Sequence, residues 1–86
     1  MSEYVEARYA RLVLREACRK EDEAAKLIND LLRDLDSLQD SNSARAEALT
    51  SIRLLALNLD RPRSTHTHEW EVANRAAEAW CQNAFR

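Results

Sequence analysis

The sequence contains no glycine and a single proline, Pro62. Sheets and loop-rich folds need glycine at tight turns, bulges and positive-φ positions, whereas helices do without it. Ala, Leu, Arg and Glu dominate instead, all good helix formers whose side chains lose little freedom in a helix. The chain reads as all-α. Its 86 residues make a single domain, 1–86, and a small one, burying about 60–65% of the surface its unfolded chain exposes.

The longest uninterrupted pattern lies at the start. Alternating steps of four and three pick out Ala10, Leu14, Ala17, Glu21, Ala24, Ile28, Leu31, Leu35 and Leu38, a heptad-like seam broken at Glu21. The pattern predicts one long N-terminal helix over about 3–38, roughly 54 Å in length. Ser2 is placed to cap it, with Glu3 and Glu6 in the first turn. From Ala24 onward the apolar residues form one stripe. The earlier half carries a second line, Val5, Tyr9 and Leu12, on another face, and so needs two neighbours. Arg19-Lys20-Glu21-Asp22-Glu23 separates the halves. It reads as a solvated turn of one continuous helix; a bend or break there would instead make a four-helix arrangement.

Asp40-Ser41-Asn42-Ser43 marks a turn, since these side chains satisfy backbone groups themselves. A second helix follows over about 44–59, with Ala48, Leu49, Ile52, Leu55, Ala56 and Leu59 on one face. So short a connection makes it an antiparallel neighbour of the 24–38 half. Leu54 and Leu57 lie off that stripe and suggest a second contact surface. Asp60-Arg61-Pro62-Arg63 ends this helix, because Pro62 disfavours α geometry in the preceding residue. Thr65 or Thr67 caps a third helix over about 68–84, with Glu69 and Glu71 in its first turn. Its stripe, Trp70, Ala73, Ala77, Trp80, Cys81 and Ala84, sets two large rings among small residues. The expected fold is a small helical bundle, the two shorter helices packed on the long one.

Composition and motifs remove several functions. A formal net charge of −2 is too weakly acidic for a nucleic-acid mimic and too little basic to imply nucleic-acid binding by charge alone. Met1-Ser2-Glu3-Tyr4 lacks the basic and apolar regions of a secretory signal, and no apolar run approaches the ~20 residues of a membrane span. A cytoplasmic protein without membrane contact is expected, with Cys18 and Cys81 as reduced thiols. His66-Thr67-His68-Glu69 holds metal-ligand residue types, yet ligands two apart share a face only in extended backbone. With no CxxC or HxxxH beside it, the segment reads as a solvated loop and helix cap. Without glycine there is no phosphate loop or nucleophile elbow, and both cysteines fall on apolar helix faces. We expect no enzyme, cofactor or metal.

Two binding roles are left. Arg8, Arg11, Arg15 and Arg19 recur at helical spacing near Tyr4 and Tyr9, and Arg61 and Arg63 flank Pro62, a set able to meet phosphates. Glu6, Glu16 and the Glu21-Asp22-Glu23 cluster lie among or beside them and can pair at i to i+4 spacing. No helix–turn–helix pattern is present. The stronger expectation is protein binding. A second helix of about 24 Å cannot cover both halves of the first, and the third covers only one face of the N-terminal half. Val5, Tyr9 and Leu12, fringed by arginines, then remain as an apolar patch. The expected contact residues are Tyr4, Val5, Arg8, Tyr9, Leu12 and Arg15, with Trp70 and Trp80 in the core beneath. The expected role is that of an inhibitor, adaptor or regulator of a larger protein, with a homodimer as the simplest further assembly.

Overall fold

The computed structural model describes residues 3–36, 43–59 and 67–85. They form α1 (Glu3–Arg19), a single 3₁₀ turn (Glu21–Glu23), α2 (Ala24–Asp36), α3 (Ser43–Asn58) and α4 (Thr67–Phe85). No strand occurs among the described residues. The all-α bundle expected from the glycine-free composition is what the chain builds.

The long N-terminal run is divided. The Tyr9 hydroxyl donates a hydrogen bond of 3.0 Å to Asp34 Oδ2, although 25 residues of straight helix would hold them about 37 Å apart. The molecule measures 36 Å along its longest axis, less than the roughly 54 Å of an unbroken helix. α1 and α2 therefore form a helical hairpin, the four-helix arrangement that a break in the charged segment implies. The break falls where the seam loses its apolar residue. Lys20 N still donates to the Glu16 carbonyl at 2.9 Å, and Glu23 N donates to the Lys20 carbonyl at 3.0 Å, tightening the chain into a 3₁₀ turn. Folding back lets the apolar stripes of both halves bury each other, which a straight rod cannot do alone.

Each helix packs on its neighbours in sequence, and α4 closes the ring against α1. The start of α1, the end of α2, the start of α3 and the last turns of α4 meet at one end, where Glu6, Leu35, Arg45 and Trp80 come together. This is an up-down-up-down bundle. As expected, α3 lies against α2 and the C-terminal helix lies against α1.

Leu14, Ile28, Leu31, Ile52, Leu55 and Trp80 are the largest fully buried side chains, each stabilising the fold by about 1.5–3 kcal/mol or more relative to exposure. Ala7, Ala10 and Ala17 of α1 and Ala73 and Ala77 of α4 are wholly enclosed, so these two helices approach through small residues while Trp70 and Trp80 fill the space beside them. Ser2, the Asp40-Ser41-Asn42 turn, the Asp60-Arg61-Pro62-Arg63 stop and Thr65 lie outside the described residues. No described helix is long and apolar enough to cross a membrane.

Candidate partner-binding surface

Helical periodicity divides α1 into two sides. Glu6, Ala7, Ala10, Leu14 and Ala17 point into the bundle and are buried. On the other side Val5 is 45% exposed, Tyr9 41% and Leu12 53%. Arg8, Arg15 and Arg19 are exposed beside them, while Tyr4 and Arg11 are half-buried. The expected contact residues thus lie together on one helix, and Tyr4 is the least accessible. The ring topology explains the open face, because among the described helices α1 is flanked by α2 and α4.

The two flanks differ in charge. Toward α2, Tyr9 ends in its hydrogen bond to Asp34. Partial burial, the Asp34 hydrogen bond, and the charges of Asp34 and Asp30 together hold its phenol above the ordinary value. Toward α4, Arg11 and Arg8 lie close enough to Cys81 to oppose the rise that burial imposes on its thiol, a rise that Glu78 reinforces.

Of the acidic residues set against the arginines in the sequence, Glu6 and Glu16 are engaged by other residues, while Asp22 and Glu23 share a recess with Arg19 and Lys20. Glu6 is not on the surface: it is buried, its Oε2 3.9 Å from Arg45 Nε. Glu16 Oε1 holds Lys20 Nζ at 3.0 Å, and this contact lowers the Glu16 carboxyl pKa and raises that of Lys20. Arg8, Arg11, Arg15 and Arg19 make no ion pair with another described residue.

Arg45 is the residue that sequence reasoning missed. Its signal was register: Arg45 stands three residues before Ala48, on the buried i, i+3, i+4, i+7 line of α3. Leu54 and Leu57, the second surface expected on α3, are 53% and 75% exposed, and α3 sits diagonally across the ring from α1. Trp70 and Trp80 are both buried. Cys18 is half-buried and Cys81 buried, and neither is in a disulfide. His68 is exposed, and His66, Arg61 and Arg63 lie outside the described residues. Among the described residues no three His, Cys, Asp or Glu side chains gather as a metal site.

No protein-family model, curated protein or solved structure matches this chain. The functional reading therefore rests on the surface itself.

Proposed function

We propose that this chain is a small, non-enzymatic protein-binding module of the cytoplasm, which acts as an inhibitor, adaptor or regulator by laying the outer face of α1 on a larger protein. The observation that carries the reading is the strip Val5, Tyr9 and Leu12, 41–53% exposed on a helix whose opposite side is completely packed. Aromatic and arginine side chains are enriched at protein interfaces, and central apolar anchors with a polar rim are the usual arrangement. Tyr9 and Leu12 are the anchors here, with Arg8 and Arg15 as the rim.

Val5→Glu together with Leu12→Glu tests this. Both positions are exposed, so the double variant keeps the helical circular dichroism of the wild type. It loses the protein that the tagged wild type captures from nuclease-treated lysate of its native cell. A variant that still captures that protein would remove α1 as the contact.

The line of arginines supports a second reading, a nucleic-acid-associated regulator using Arg8, Arg11 and Arg15. That role requires affinity for an oligonucleotide that falls steeply with added salt. The interleaved apolar side chains, which phosphates do not need, favour the first.

A further inference from the structure

We infer that the partner presents an amphipathic helix whose apolar row is bordered by acidic residues along one flank only, and that it lies on α1 with that flank over Arg8, Arg11, Arg15 and Arg19. The inference rests on the docking role of α1 proposed above and adds the chemistry of what docks.

The strip is unbalanced. On its α2 side the acids are taken: Asp34 accepts the Tyr9 hydroxyl, and Asp30 holds Arg33 at 3.3 Å. On its α4 side stand Arg8 and Arg11, near Cys81; Arg15 continues the row at helical spacing, and Arg19 ends it beside Asp22 and Glu23. Glu6 faces the core and is engaged there by Arg45, and Glu16 is held by Lys20. Glu71 and Glu78 of α4 border a surface recess with Cys18 and temper the local potential without pairing to these arginines. A chain of net charge −2 thus keeps a basic line along one edge of an apolar strip.

The spacing is helical. Arg8 to Arg19 spans about 16 Å and Val5 to Leu12 about 10 Å, lengths that three turns of a facing helix match with carboxylates at i, i+4 and i+7 beside an apolar row. Charge bears on a second copy as well. An antiparallel twofold pairing of α1 would set like arginine lines together, whereas a parallel one would set each line against the other copy's Asp30 and Asp34, which Arg33 and Tyr9 already engage. Each Arg–carboxylate contact at such a rim governs orientation and rate of encounter more than affinity. A one-sided acidic border therefore fixes which way the partner helix runs.

The test uses a displayed library of helical peptides about three heptads long, with leucine fixed along one row. The positions on each flank are drawn independently from Glu, Gln and Lys, and the library is sorted on the full chain. The expected outcome is enrichment of Glu on one flank and not the other. Binding then falls about tenfold or more with Arg8→Glu/Arg15→Glu and with Val5→Glu/Leu12→Glu, both checked for retained helicity. Peptides that need Val5 and Leu12 but show no flank bias, or Glu on both flanks, overturn the one-sided acidic partner and leave α1 docking intact. If no peptide depends on Val5 and Leu12, the docking role fails as well. A dimer in sedimentation that Leu12→Glu dissociates gives the face to a second copy. Binding of a duplex DNA probe that Arg8→Glu/Arg15→Glu abolishes and Leu12→Glu leaves unchanged gives it to nucleic acid.

Discussion

The guanidinium of Arg45 stands 5.7 Å from the centre of the Trp80 ring, and both side chains are closed off from solvent. A cation in the first turn of a helix opposes that helix's own dipole, so Arg45 is badly placed for α3 alone. It is well placed for its neighbours. Its Nη2 donates to the Leu35 carbonyl at 2.6 Å, satisfying an acceptor in the last turn of α2, where a cation is favoured. Its Nε faces Glu6 of α1 at 3.9 Å, and Trp80 of α4 offers the negative face of its ring. One side chain thus touches the other three helices at one end of the bundle.

A buried ion pair contributes little net stability because desolvation offsets its attraction, yet removing one partner strands the other. Glu6→Ala is expected to cost about 3 kcal/mol, at the low end for such pairs because 3.9 Å is long for a charged hydrogen bond. Arg45→Met is expected to cost a similar amount, since it leaves Glu6 buried and the Leu35 carbonyl without this donor. Glu6→Ala with Arg45→Met should cost clearly less than the sum of the single changes, with a coupling of about 1 kcal/mol or more. Urea unfolding of the four proteins measures this. Simple additivity would show that the two charges do not stabilise each other.

The alanine contact between α1 and α4 sets a second expectation. Ala77 is fully enclosed, and a larger side chain there must push the helices apart. Ala77→Leu should destabilise the fold by about 1–3 kcal/mol through overpacking. Ala79→Leu, two residues on at an exposed position of the same helix, should change it by no more than about 0.5 kcal/mol. Equal midpoints for the two variants would contradict the close α1–α4 approach.

Tyr9 gives a pH dependence of known sign. Its phenol is raised by partial burial, by the hydrogen bond to Asp34, and by the charges of Asp34 and Asp30, so the folded chain holds this proton more tightly than the unfolded one. The contribution is fully present below the ordinary tyrosine value of about 10 and disappears as pH rises through the higher folded value. Tyr9→Phe should therefore lose less stability than the wild type as pH rises from about 10 upward. Cys81 and Lys20, also raised, act alike in both proteins, so the difference isolates Tyr9. Parallel stability curves through this range would refute the assignment.

The sequence made the apolar stripes legible because each helix has one packed side. The burial of Trp70, Ala73, Ala77, Trp80 and Cys81 follows from their 3.6-residue spacing, as does that of Ala48, Leu49, Ile52 and Leu55. The exposed strip was legible for the same reason: Val5, Tyr9 and Leu12 fall off the seam. Arg45 and Glu6 were not, since charge argues for the surface unless a partner is known, and theirs are supplied by tertiary structure. The turn at Lys20 was ambiguous because five charged residues suit a solvated helical turn as well as a break. Only the gain from packing α1 on α2 decides between them, and that is a long-range term.

That turn yields the most direct geometric prediction. In one continuous helix, positions 8 and 33 would stand about 37 Å apart. In the hairpin they flank the Tyr9–Asp34 hydrogen bond, which brings their backbones to neighbouring-helix distance, about 8–10 Å between axes. Arg8 and Arg33 are both exposed, so nitroxide labels at these sites leave the core untouched. The labels would be introduced in a Cys18→Ser/Cys81→Ala background that retains the native helicity. Pulsed electron–electron resonance should give a main distance below about 25 Å, allowing for the label arms on an interaxial spacing of about 10 Å. A distribution centred near 37 Å would mean that the chain runs straight through Lys20. The apolar strip of α2 would then need another molecule to cover it.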